Sequence, residues 1–187
     1  FIMDMGYETY QKILAEAMEE LGVETGYTAR RVSDSFVEDC TVETDQLALI
    51  PDSYIDITAE KIRIYKQLDG MMNDKEIDHE RVKLEDRFGQ MPEEVENLFT
   101  VVKIRNLGGK MGFEKVIIKN GMMIMFFISN PMSPYFKSKE FTSILGNINA
   151  NERIFNLKQT EGKLKIVTRG IDTLQKALQT MNKLKSQ

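Results

Sequence analysis

Helical periodicity dominates the first 112 residues and strand periodicity much of the remainder. Tyr7, Tyr10, Leu14, Ala17, Met18 and Leu21 fall on one helical face, with charged residues between them, which predicts an amphipathic helix. Residues 23–35 are polar and aperiodic and read as a linker, and residues 36–50 read as extended chain. Residues 57–68 predict a second helix with Thr58 as its cap and Gly70 as its stop. A third begins at Asn73 or Asp74, places Ile77, Leu84 and Phe88 on one face, and stops at Gly89, where a positive φ is natural. Pro92 opens a fourth, with Glu93 and Glu94 at the positive end of its dipole, Val95, Leu98, Phe99 and Val102 as its buried stripe, and Gly112 as its end.

The pattern then changes. Residues 115–119, the pair Asn120-Gly121 and residues 122–128 predict a hairpin, because both turn residues tolerate positive φ. The run 122–128 is apolar at every position, which predicts a strand covered on both faces. Pro131 and Pro134 mark a loop before a short helix over 137–148. A second hairpin is expected over 153–168 around Glu161-Gly162. The last helix carries Ile171, Leu174, Leu178 and Met181 in register. The class is α+β: N-terminal helices followed by an antiparallel sheet of two hairpins with a C-terminal helix.

With 187 residues, 42% hydrophobic and 29% charged, the chain has the composition of a globular protein able to bury a core. No apolar run approaches the roughly 20 residues needed to span a bilayer. One cysteine, Cys40, excludes an internal disulfide and a cysteine-built zinc site. The net charge of −4 hides an asymmetry, since residues 101–187 hold 15 basic and 5 acidic side chains and the remainder is strongly acidic. Internal balance between the halves is the larger expected effect; an acidic surface offered to a basic partner is the other reading.

Catalytic chemistry is not apparent. Gly108-Gly109-Lys110 falls within a helix and does not follow a strand, unlike a phosphate-binding loop. His79 stands among Asp78, Glu80 and Arg81, the setting of a solvated surface histidine. Cys40 has no cationic sequence neighbour to activate it. The pairs Glu19-Glu20 and Glu93-Glu94 are explained by solvation and helix dipoles. No cofactor or metal site is expected in this chain. Lys158, Lys163, Lys165 and Arg169 form a basic stretch that a nucleic acid could use, but a solvated strand face is the better reading, and direct DNA contact is not expected.

Three stretches carry a resemblance: Ile50-Pro51-Asp52-Ser53-Tyr54-Ile55, then Arg63-Ile64-Tyr65, then Leu84-Glu85-Asp86-Arg87-Phe88-Gly89 with Pro92. In this order and spacing they resemble the C-terminal domain of bacterial transcription-repair coupling factors (Mfd), and Met5-Gly6-Tyr7 resembles the segment after the family's motor. The resemblance is strongest over residues 47–113. It implies that residues 1–45 are a helical arm and linker after the motor and that residues 46–187 are a regulatory domain. The parent would be an ATP- and magnesium-dependent DNA translocase in the cytoplasm that displaces stalled RNA polymerase and recruits UvrA for nucleotide excision repair.

The domain itself would be a non-catalytic, autoinhibitory clamp on the parent's UvrB-like N-terminal module. An accessory nucleic-acid-binding role for the basic half is the alternative. Carried over by position, the family's interface falls on Lys83, Asp86 and Arg87, with Lys83 standing where the family commonly has an acid. The same residues admit a second reading, in which Asp86 and Arg87 brace the helix end internally.

Overall fold

The structure is a computed structural model that describes residues 36–185; the helix expected over residues 7–21 and the linker after it lie outside that range. Within the described residues the chain forms two compact units, one of residues 47–103 and one of residues 36–46 with 104–185.

The first unit is helical. Its entry loop buries Ile50 and Ile55, and the Pro51 carbonyl accepts from the amides of Tyr54 (3.0 Å) and Ile55 (3.1 Å) to close a tight turn. Helix α1 (Thr58–Gly70) comes next. Thr58 is not its cap: Ile57 holds that position with no side-chain bond, and Glu60 in the first turn supplies the favourable charge. Ile64, Tyr65 and Leu68 are its buried face. In α2 (Asp74–Phe88) the Asn73 side chain caps the start by accepting from the Glu76 amide at 2.9 Å. Gly89 ends α2 at φ 87°, a backbone that glycine adopts without a Cβ clash. Helix α3 (Glu93–Met111) begins after Pro92 and buries Val95, Leu98, Phe99 and Val102, the expected stripe. Its residues from Ile104 onward belong to the second unit.

The second unit is built on a five-stranded sheet of order β1-β2-β3-β5-β4. Its strands are β1 (Thr41–Thr44), β2 (Phe113–Lys119), β3 (Met122–Phe127), β4 (Asn156–Thr160) and β5 (Lys163–Arg169). Both expected hairpins form. Asn120 and Gly121 take φ 54° and 71°, and Glu161 and Gly162 take φ 52° and 76°, the two-residue turns that match strand twist. β3 joins the hairpins by pairing antiparallel with β5. The sheet is mixed, however, because β1 adds to its edge parallel to β2, with Val42 opposite Val116. This strand lies ahead of residue 46, where the regulatory domain was expected to begin.

One face of the sheet is closed by Val116, Ile118, Met123, Met125, Phe127, Ile166 and Thr168, all buried. On that side a Cβ at Gly108 of α3 would stand 2.8 Å from the Cys40 sulfur and 3.5 Å from Val116. A short 3-10 turn (Pro134–Lys137) precedes α4 (Lys139–Ala150), which starts two residues later than the sequence suggested because Ser138 caps it, accepting from the Phe141 amide at 3.2 Å. Phe141 then meets Phe127 edge to face at 5.4 Å. Helix α5 (Leu174–Asn182) is capped by Thr173, so Ile171 is buried ahead of the helix and not within it. Asn147 of α4 donates to the carbonyls of Leu184 (2.9 Å) and Lys185 (3.2 Å), closing the end of α5.

The other face contradicts an expectation. Met122, Ile124 and Phe126 of β3 are only half-buried, so the strand is covered on one side. On that side the Lys165 ammonium stands 5.8 Å from the Phe126 ring centre, so part of this apolar surface lies beneath a lysine side chain.

Candidate protein-interaction site

The last two turns of α2 carry the three residues singled out in the sequence. Leu84 is buried and Phe88 half-buried, which fixes the helix rotation and turns Val82, Lys83, Asp86 and Arg87 outward. Phe88 meets Tyr54 at 6.0 Å between ring centres. The Tyr54 hydroxyl donates to the Gly89 carbonyl at 2.8 Å, so the Asp-Arg-Phe-Gly end is pinned to the entry loop. Burial raises the Tyr54 hydroxyl above its ordinary pKa, with Glu85 and Glu96 adding to the effect.

Arg87 is tied down. Its two terminal nitrogens reach the Glu60 carboxylate on α1 at 3.2 and 3.3 Å, and its guanidinium carbon lies 4.9 Å from the Phe88 ring centre. Arg63 binds the same carboxylate at 2.9 and 3.2 Å. These contacts hold the Glu60 carboxyl below the usual carboxylate range, the Arg63 hydrogen bond first and the Arg87 bond after it. Other α2 charges are also engaged: Arg81 pairs with Glu96 of α3, and Asp78 with Lys103 at 2.6 Å.

Asp86 does not pair with Arg87. Among the described residues neither Asp86 nor Lys83 makes an ion pair, although both are exposed. Beside them Val82 is 56% exposed, a large apolar side chain that faces outward. The three candidates therefore divide, with Arg87 in the brace and Lys83 and Asp86 on an outward surface that includes Val82 and makes no ion pair among the described residues. Sequence reasoning missed Glu60 and Val82. Glu60 sits 27 positions before Arg87, beyond any helical spacing rule, whereas the polar neighbours of Val82 were a readable sign that its face is solvated.

The other residues weighed for chemistry lie outside the site. His79 is exposed on α2, and Gly108-Gly109-Lys110 lies inside α3. Cys40 is buried, and that burial pushes its thiol up to about 12, with Asp39 adding to the effect and Arg105 opposing it. No cluster of histidine, cysteine and carboxylate residues suited to a metal occurs among the described residues. No described helix is long and apolar enough to cross a membrane. The arrangement offers recognition by charge and shape.

Comparison with known proteins places this surface in context. The family model of the TRCF domain matches residues 44–138, a span that contains α1, α2 and the brace. The transcription-repair-coupling factor of Bacillus subtilis is 35% identical over 105 residues, which are 56% of this chain and 8% of that protein. The transcription-repair-coupling factor of Rickettsia typhi is 29% identical over 166 residues, 87% of this chain and 14% of that protein. The chain thus spans a small part of the length of these relatives. A crystal structure of the C-terminal domain of transcription-repair coupling factor shares the fold with a TM-score of 0.65 and 18% identity, over 78% of this chain and 91% of that one.

Proposed function

The chain belongs to the TRCF-domain family, and on that premise we propose that it serves as the regulatory clamp of a transcription-repair coupling factor. It performs no chemistry. It docks through the outward face of α2 onto the UvrB-like N-terminal module of the same parent chain. Docked, it covers the surface UvrA would use and restrains the ATP- and magnesium-dependent motor until RNA polymerase is engaged in the cytoplasm.

The observation that carries this reading is the division within α2. Arg87, Arg81 and Asp78 stabilise the helix against its neighbours, while Lys83, Asp86 and Val82 face solvent without partners among the described residues. An exposed apolar side chain flanked by opposite charges is a small recognition patch, in which the charges set register and the apolar group supplies desolvated contact. Lys83 calls for an acid on the module and Asp86 for a base. Removing the regulatory domain from the parent tests the function: UvrA binding and basal ATPase rise, and unchanged values for both would refute the clamp.

A further inference from the structure

The open face of the second unit's sheet carries six cations and one carboxylate pairing with them. Lys115 lies opposite Phe126, Phe126 opposite Lys165, and Lys165 opposite Lys158, so one row across four strands reads lysine, phenylalanine, lysine, lysine. A parallel row holds Lys119, Met122 and Arg169. Lys163 lies two residues from Lys165 and points to the same side. Sequence alone showed four of these cations; the register adds Lys115, Lys119 and the aromatic ring.

Glu43 on the edge strand binds Lys115 at 2.9 Å and Lys119 at 3.5 Å. The Lys115 hydrogen bond is the main cause holding the Glu43 carboxyl below its ordinary value. Lys158, Lys163, Lys165 and Arg169 make no ion pair among the described residues. Same-face neighbours on a strand are roughly 6.8 Å apart and adjacent strands about 4.8 Å apart, so these charges form a dense array. The net charge of −4 does not cancel it. At physiological salt, charges farther than about 8 Å are largely screened, so a ligand meets the local field.

The apolar residues beneath do not form a bare patch. Ile117, Met122, Ile124 and Phe126 are half-buried, Val167 is buried, and the Lys165 ammonium stands 5.8 Å from the Phe126 ring centre. Cations are thus outermost, above an apolar floor with one aromatic ring. A phosphodiester strand meets that order of chemistry from outside, with a base laid on the ring. An amphipathic protein helix would have to displace the lysines to reach the floor.

We propose that this face binds single-stranded nucleic acid, with Lys158, Lys163, Lys165 and Arg169 on phosphates and Phe126 stacked on a base. Lys165 moves from the ring to a phosphate when the base enters. This binding is separate from the α2 patch and stands or falls without it.

The test is fluorescence anisotropy of a short labelled oligothymidylate titrated with the whole chain at several salt concentrations. Saturable, salt-sensitive binding is expected. Replacing both Lys158→Gln and Lys163→Gln lowers the salt slope by about 1.4, at about 0.7 for each lost phosphate contact. Phe126→Leu weakens binding by roughly tenfold, within the range of one lost stacking contact. The charge-matched control, Lys176→Gln in α5 with Lys183→Gln at its C-terminal cap, leaves the slope unchanged. No anisotropy change at low salt overturns the proposal, as does an equal loss in the control pair. Equal affinity for duplex DNA that ignores Phe126→Leu also overturns it. So does displacement of the strand by polyglutamate at matched charge, which would assign the face to an acidic protein.

Discussion

Replacing Tyr65→Phe removes one oxygen and tests whether the recognised motifs are joined as the structure has them. The Ile50 amide donates to the Tyr65 hydroxyl at 2.9 Å, and both residues are at most 1% exposed. The bond connects the Ile-Pro-Asp stretch to the Arg-Ile-Tyr stretch. Burial pushes the Tyr65 hydroxyl up to about 12, against a smaller opposing effect from the Ile50 bond, so it stays neutral at any working pH. Phenylalanine keeps the ring and its packing, so almost no cavity opens. The variant is left with a buried amide that has no acceptor, which costs about 1–3 kcal/mol, and a loss of about 2 kcal/mol is expected. Urea unfolding monitored by circular dichroism should show a lower midpoint with an unchanged slope, the signature of altered stability at constant exposed area. A loss below about 0.5 kcal/mol would refute the reasoning, because the amide would then have found another acceptor.

Three further substitutions rest on particular contacts. Gly112 has φ 91°, and a Cβ there would overlap the Tyr135 ring, so Gly112→Ala should cost about 3 kcal/mol or more in the same assay. Gly109 lies in α3, and a Cβ there would meet nothing within 4 Å, so Gly109→Ala should stabilise by up to about 1 kcal/mol; equal effects at the two glycines would contradict the packing described. Glu60→Gln should lower the thermal midpoint at neutral pH. Because the folded carboxyl titrates below its unfolded value of about 4.3, its contribution is present above that value and fades as pH falls through the folded pKa. A deficit undiminished near pH 3 would show that the Arg63 and Arg87 pairing is not its source.

What the sequence disclosed was whatever local chemistry decides. Asn120-Gly121 announces its turn because a positive φ at two adjacent positions selects few residues, whereas in the second turn only Gly162 carries that signal and Glu161 takes φ 52° against its preference. Gly89 and Gly112 end their helices for the same reason. The pairing of β1 was hidden, since four residues of weak pattern meet a partner more than 70 positions away. The cap of α1 was misread because Thr58 has the right chemistry one position too late. At the candidate site, the family resemblance pointed to Lys83, Asp86 and Arg87 and helical spacing set them on one surface, but only the fold brings Glu60 to Arg87 and so separates the braced residue from the outward ones.

That separation is tested most directly by measuring binding of this chain to the UvrB-like N-terminal module proposed as its partner, with Asp86→Arg and Lys83→Glu as separate variants. Each charge reversal should weaken binding by about tenfold or more, because a like charge is then desolvated in the interface, and should leave the thermal midpoint unchanged. Undiminished binding by both variants would contradict the account.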